Sequence, residues 1–123
     1  MSTVTNKGME TLARMINNVA PVAPFGKIAT GTSSIVEDIG NTALGAENTL
    51  SGTARVNATC SFESPGTSVW TYLFAFSGAV NIREIGIFNS TGDMFLRHVL
   101  NANKPYYEGE SVEITITHSL VRG

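Results

Sequence analysis

Hydrophobic and polar residues alternate through much of the chain after residue 54, which is the pattern of half-buried β-strands. Over 112–120 the alternation is strict, and its apolar row consists of Val112, Ile114, Ile116, His118 and Leu120. Over 54–62 the row predicted to be buried consists of Ala54, Val56, Ala58, Cys60 and Phe62. Over 68–77 both faces are apolar, and one of them is the aromatic row Trp70, Tyr72, Phe74 and Phe76. This last strand is therefore predicted to lie at the centre of a sandwich or beneath a partner.

Residues 81–100 predict a β-hairpin, because two apolar runs flank the turn-forming residues 89–93. On the first arm, Ile85 and Ile87 are predicted to share a face with Arg83. On the second arm, one row is predicted to contain Met94, Leu96, His98 and Leu100, and the other Phe95, Arg97 and Val99. We expect this hairpin to form the middle of the sheet, beside the aromatic strand and the last strand.

A single helix is predicted over about residues 5–19. Thr5 or Asn6 can cap its first turn, and Pro21 and Pro24 stop it. Its apolar positions recur every three or four residues and form the stripe Met9, Leu12, Ala13, Ile16 and Val19. A helix of about 12 residues is marginal alone in water, so this stripe is expected to dock on the sheet or on a neighbouring subunit.

These patterns indicate a mainly β fold, either a β-sandwich or a barrel. Our prediction is an antiparallel β-sandwich, jelly-roll or immunoglobulin-like, with one N-terminal α-helix. We expect one domain over 1–123, with the helix at about 5–19 and the sandwich at about 25–121. The sandwich is predicted to open with a short strand over 25–30. Residues 35–52 follow as a long irregular connection with room for one helical turn, and loops of this length are usually functional or contact surfaces.

The composition favours contact with other proteins over contact with nucleic acid. Charged residues make up only 15% of the chain, below the usual quarter, so less polar surface is left to cover the outside. The net charge of -2 and the scattered Lys and Arg residues argue against nucleic-acid binding. No long apolar run and no signal-peptide pattern is present, so no membrane association is expected.

The titratable residues do not predict an enzyme, a cofactor or a metal site. His98 and His118 fall in different strands, without further ligands at metal-binding spacing. Cys60 falls in an apolar row, where a buried thiol is expected to be inert, and a lone cysteine excludes an intrachain disulfide. The carboxylate pairs 37–38 and 108–110 are predicted to be solvated turn residues, since each supplies too few ligands for calcium.

A succession of short motifs carries a family resemblance. The first is Thr5-Asn6-Lys7-Gly8, the second is Thr42-Ala43-Leu44-Gly45-Ala46-Glu47, and the third is the hairpin arm 84–89 (Glu-Ile-Gly-Ile-Phe-Asn). Arg55 opens a strand between the second and third motifs, and residues 109–117 close the series. In this order the chain resembles small virion proteins of tailed bacteriophages.

The resemblance implies a non-enzymatic structural protein of the virion, assembled in the host cytoplasm. Capsid decoration, in which the protein acts as a cement through oligomerisation and surface burial, is the leading prediction. A tail or fibre-attachment adaptor is the alternative, and a carbohydrate-binding module on a tail tip is an alternative of another class. The implied partners are further copies of the chain and other virion proteins, either the major capsid protein or tail and neck proteins.

The interface is predicted in the helix stripe, in the loop over 35–51 and at edge strands. Because Trp and Tyr are favoured at the centres of protein interfaces, Trp70, Tyr106 and Tyr107 are also predicted to belong to the interface. The candidate interface residues are Met9, Leu12, Ile16, Ile35, Val36, Leu44, Trp70, Tyr106 and Tyr107.

Overall fold

A computed structural model describes residues 2–19 and 22–121 of the chain. In these ranges the fold is two antiparallel β-sheets with one N-terminal helix, and the predicted sandwich is confirmed. The elements are β1 (Ser2–Val4), α1 (Asn6–Asn17), β2 (Phe25–Gly31), β3 (Val56–Asn57), β4 (Thr59–Ser64), β5 (Thr67–Ala75), β6 (Val80–Asn89), β7 (Met94–Tyr106) and β8 (Ser111–Ser119). The helix stop predicted at Pro21 lies outside the described residues.

The strands divide into a five-stranded sheet and a three-stranded sheet. The first, which we call sheet A, has the order β1-β7-β6-β2-β3, and the second, sheet B, has the order β4-β5-β8. The predicted hairpin forms β6 and β7 and supplies the middle of sheet A. The aromatic strand β5 and the last strand β8 lie in sheet B, so the prediction that they flank the hairpin in one sheet is wrong. The sheets instead meet through a shared core that includes Ile28, Trp70, Phe74, Ile85 and Ile87.

Two irregularities in the pairing of β6 with β7 change the predicted rows. A register shift after Ile87 leaves both Phe95 and Leu96 in the core between the sheets, whereas Met94 packs with Phe88 in a second cluster. The predicted row that joined Met94 to Leu96 is therefore wrong, because a bulge breaks the alternation of faces.

The second irregularity lies next to Arg83. A register shift between Ile82 and Glu84 places Ile82 with Ile85 in the core. Arg83 was predicted to share the face of Ile85, and this prediction is wrong. The Arg83 Nε donates a hydrogen bond to the Leu100 carbonyl at 2.7 Å. Strict alternation fails here because the one β6 residue between these two pairs, Arg83, stands opposite four β7 residues, 100–103.

The strand predicted over 54–62 is divided between the two sheets. β3 pairs with β2 in sheet A, Ala58 N–H donates to the Gly26 carbonyl at 2.8 Å, and β4 then pairs with β5 in sheet B. Of the predicted apolar row, only Val56 and Ala58 pack on the core, and Ala54 is exposed. Cys60 and Phe62 are exposed, so the expectation that they are buried is wrong.

Helix α1 begins where the sequence predicts but docks through different residues. Thr5 is the N-cap, and its Oγ1 accepts a hydrogen bond from Gly8 N–H at 2.9 Å. The buried helical residues are Gly8 and Thr11, because a close approach to the β7 backbone needs small side chains. Met9 and Ile16 of the predicted stripe point to solvent. Of the predicted stripe, only Leu12 packs against the core, so most of the stripe is not the face that docks on the sheet.

Residues 32–55 form the long connection that was predicted, and no helical turn occurs in it. The connection crosses the outer face of sheet A, where Leu44 packs against Ala29, Phe88 and Met94. A single bridge between Gly31 and Glu47 joins it to the end of β2. We call residues 32–55 the covering loop.

Candidate interaction surface

A buried ion pair fixes the covering loop to sheet A. Arg97 Nε donates to Glu84 Oε1 at 2.9 Å, and both side chains are almost fully buried. Three backbone amides of the loop, those of Ser33, Gly45 and Ala46, also donate to the Glu84 carboxylate at 2.8 to 3.0 Å. One carboxylate therefore holds both ends of the loop segment 33–46 against the sheet.

Arg97 holds the middle of the same segment. Its Nη1 donates to Asn41 Oδ1 at 3.2 Å and to the Val36 carbonyl at 3.4 Å. Because the guanidinium also binds Glu84, the two charged residues form one network under the loop. The network spans two strands and the loop, and it fixes the backbone that carries Val36.

The pKa of Glu84 reflects two opposing effects. Burial raises the pKa of this carboxyl, since a charged group loses its hydration in the interior. The hydrogen bonds from Ala46, Gly45, Arg97 and Ser33 lower it, and their combined effect is the larger, so the pKa lies below its ordinary value. Glu84 is therefore ionised at neutral pH and serves as a structural anion.

A second carboxylate closes the edge of sheet A. Glu37 Oε2 accepts a hydrogen bond from Val99 N–H of β7 at 2.8 Å, and its Oε1 accepts one from Thr3 Oγ1 of β1 at 2.8 Å. β1 covers β7 only as far as His98, so Glu37 satisfies the next backbone donor on that edge. This contact fixes the loop at a further point and protects an edge that would otherwise be free to pair.

The anchored loop and the helix present large apolar side chains to solvent. Asn6 N–H donates to the Ile39 carbonyl at 2.7 Å, which joins the start of α1 to the loop. Val36 and Ile16 are each more than 80% exposed, and the other members are more than half exposed. We call this region the helix–loop surface; it consists of Met9, Ile16, Ile35, Val36 and Ile39.

Two of the predicted interface residues lie inside the molecule. Trp70 is only 5% exposed, and its indole N–H donates to the Phe25 carbonyl at 2.8 Å. Leu44 belongs to the covering loop and is buried against sheet A. Both are core residues, because their strand or loop turns them toward packed neighbours. Their assignment to an interface with a partner is therefore wrong.

The remaining candidates divide between the helix and the end of the sandwich. Met9, Ile16, Ile35 and Val36 lie on the helix–loop surface. Leu12 is partly buried against the core. Tyr106 is also partly buried and stacks on Phe76, with ring centroids 4.8 Å apart, whereas Tyr107 is exposed. In the described residues, no hydrogen bond or ring contact joins either tyrosine to the helix–loop surface.

Tyr107 borders an open groove of about 530 Å³ at one end of the sandwich. The groove lies between loop residues 47–51 and the strand ends near Asn81 and Tyr106. Asn48 fixes the loop there, since its Nδ2 donates to the Asn81 carbonyl at 2.9 Å. The groove combines an exposed aromatic ring with polar groups, among them Glu47, whose carboxylate is paired with Arg55.

The reactive side chains lie apart from one another in the fold. Partial desolvation raises the pKa of the Cys60 thiol and lowers the pKa of His118, whose ring packs edge-on against Phe95 at 5.0 Å. Within residues 2–19 and 22–121, no three His, Cys, Asp or Glu side chains come close enough to hold a metal ion. No helix in the same ranges is long and apolar enough to cross a membrane.

Sequence reasoning missed the Glu84–Arg97 network. The signal was an acidic and a basic residue on facing arms of a predicted hairpin, each within an otherwise apolar run. Opposite charges in such positions are placed close together by antiparallel pairing. The loop amides that complete the network could not be found in this way, because they depend on the path of the covering loop.

No protein-family model matches the chain, and no curated protein matches it.

Proposed function

We propose that the protein is a non-enzymatic structural component of a tailed-phage virion, most plainly a capsid decoration protein that acts through surface burial. The observation that carries the proposal is the helix–loop surface, an apolar region on a backbone held in place by buried charges. A hydrogen bond from Asn6 to Ile39 joins the helix to the loop, and these two segments expose five large apolar side chains, a concentration that indicates a site of protein contact. The order of motifs in the sequence supports the phage origin.

The anchoring of the loop matters for this function. A segment that is already ordered loses little conformational freedom when a partner binds, so more of the contact energy appears as affinity. Glu84, Arg97 and Glu37 supply that order to Val36 and its neighbours. A stable specific interface needs roughly 800 Å² from each partner, and repeated copies on a particle would add avidity.

The test is incorporation into virions of the phage that encodes the chain. We expect antibody labelling of purified particles to detect the wild-type protein, with hundreds of copies for capsid decoration and far fewer for a tail or fibre adaptor. The double variant Ile35→Asp with Val36→Asp should be lost from particles. Leu73→Asp is the matched control, because Leu73 is also exposed but lies on sheet B. Wild-type protein absent from particles, or equal incorporation of both variants, would count against the proposal.

A carbohydrate-binding module remains the second candidate, and the groove beside Tyr107 favours it. Exposed aromatic rings next to polar groups suit the apolar face and hydroxyls of a sugar. A glycan array with the wild-type protein would detect such binding, and Tyr107→Ala should abolish it. If no glycan binds and the protein is incorporated into particles, only the assembly function is supported.

A further inference from the structure

Strand β4 has an apolar residue on its inner side that the monomer does not cover. Cys60 is paired with Trp70 and Phe62 with Ser68 in the β4–β5 register. Directly opposed residues in an antiparallel pair point to the same face, so Phe62 belongs to the side of the sheet that carries Trp70. Trp70 is buried, yet Phe62 is 80% exposed. The apolar row of the sequence continues beyond the core that this chain builds.

The edge of β4 has few of the features that usually prevent pairing. In the part of the chain that the structure describes, no strand pairs with the outer edge of β4. The strand contains no Lys and no Pro, and Glu63 is its only charged residue. Natural edge strands are commonly protected by such residues, by bulges or by a covering segment. The β4–β5 register shifts between Phe62 and Ser64, so a bulge interrupts the end of β4, whereas residues 59–62 pair with β5 in regular register. Over residues 59–62, β4 is therefore open to a further strand.

The other edge of sheet B differs in one decisive respect. On β8 the inner residues Val112, Ile114 and Ile116 pack on the core, so that strand needs no partner to cover its apolar side chains. On β4 the corresponding side remains exposed at Phe62. The comparison favours β4 over β8 as a site of strand addition.

We propose that β4 pairs antiparallel with β4 of a second copy of this chain, about a two-fold axis near Ser61, to form a continuous six-stranded sheet. Antiparallel pairing about a two-fold axis places the same strand on both sides. With Ser61 at the axis, Phe62 of each copy lies opposite Cys60 of the other. The pairing covers the exposed ring and opposes no two like charges.

The second copy is the occupant that the edge fits best. The strand is self-complementary in this register, because the small Cys60 faces the large Phe62 across the axis. Ser68, directly opposite Phe62, lines an apolar cleft of about 240 Å³ that also contacts Trp70 and Phe95. Phe62 is thus paired with a residue of a cleft that reaches the core, and backbone hydrogen bonds would supply the remaining affinity.

The pairing rests on the proposed function, since it assigns the self-association of that assembly protein to one strand. Cysteine cross-linking tests it in the full-length protein that carries Cys60→Ser. We expect Ser61→Cys to form a covalent dimer several-fold more efficiently than the control Thr115→Cys, which is exposed on the opposite edge strand. Equal cross-linking of the two, or stronger cross-linking of Thr115→Cys, would overturn the assignment to β4.

Phe62→Lys provides an independent measurement. Because Phe62 is exposed in the monomer, circular dichroism should be unchanged, and light scattering should shift from the dimer mass to the monomer mass. A variant that stays dimeric overturns the proposal. A wild-type protein that is monomeric yet enters virions also overturns this pairing, while the proposed virion function stands. Dimeric wild-type protein with a monomeric variant supports it.

Discussion

Sheets A and B are built from similar strands but are protected to very different degrees. The covering loop lies on the outer face of sheet A, and Glu37 closes the edge of β7 beyond β1. Within residues 2–19 and 22–121, sheet B has neither feature: Leu73 is exposed on its outer face and Phe62 on its inner side. A sheet whose faces and edges are covered by its own chain is stable without a partner. A sheet with an uncovered edge or face can pair with strands of further chains.

The charged residues follow the same division. Sheet A buries the Glu84–Arg97 pair and uses it to hold the loop. The exposed pairs of α1, which join Glu10 to Lys7 and Arg14, are solvated and contribute little. Buried charge is therefore concentrated where the loop must be fixed. Loss of this charge should have the largest effect on the free energy of unfolding.

Arg97→Met is expected to give that largest effect. The substitution leaves the buried Glu84 carboxylate without its cationic partner, and such losses cost about 3–5 kcal/mol of unfolding free energy. Urea denaturation measures the change. The control is Arg14→Met in the exposed pair, expected to cost no more than about 0.5 kcal/mol. Similar losses in both variants would mean that the buried pair does not anchor the loop.

Gly8→Ala should have the next largest effect. A Cβ at Gly8 would lie 2.5 Å from the Phe95 carbonyl oxygen, so α1 would have to move away from β7. Overpacking of this kind costs about 1–3 kcal/mol, although Ala is normally the better helix residue. Thermal unfolding measures the loss. Gly26→Ala is the control, since a Cβ there meets only Cys60 Sγ at 4.0 Å, and a stabilised Gly8→Ala would contradict the docking.

Acid should weaken sheet A by a smaller amount. The pKa of Glu84 is lower in the folded protein than its ordinary value, so the unfolded chain takes up this proton first as the pH falls. The stabilisation is complete above the ordinary pKa and is lost as the pH falls through the lowered one. Denaturation across this range measures the effect, and Glu84→Gln should flatten the profile.

His118 adds to the loss of stability in acid, and its contribution begins at a higher pH than that of Glu84. Burial lowers its pKa, so the unfolded chain again binds the proton first, and stability falls below the ordinary histidine pKa. His118→Gln should remove only this earlier part of the profile. A profile that is unchanged in both variants would show that other groups control the response to acid.

Phe62→Ala is expected to have the smallest effect on the monomer. The side chain is exposed, so the unfolding free energy at high dilution should change by no more than about 0.5 kcal/mol. Phe88→Ala is the matched control in sheet A, where loss of a fully buried ring costs about 3–5 kcal/mol. A large loss for Phe62→Ala at high dilution would show that β4 is already covered within the monomer.

Much of the local structure followed from the sequence. The N-cap at Thr5, the hairpin and the strict alternation of β8 depend on neighbouring residues, so the pattern of side chains is sufficient to predict them. The candidate site was less accessible. Ile35 and Val36 were found because they lie in a long loop, but the carboxylates that fix the loop depend on contacts distant in sequence.

The sequence by itself determined the class of fold, the turn of the hairpin and the start of the helix. Only the tertiary structure decided that Trp70 is buried, that Phe62 is exposed and that Met94 leaves the row of Leu96. Alternation assigns residues to two faces but does not say which face another sheet or loop will cover. A single bulge or a crossing between sheets reverses the assignment, and such events are set by long-range pairing.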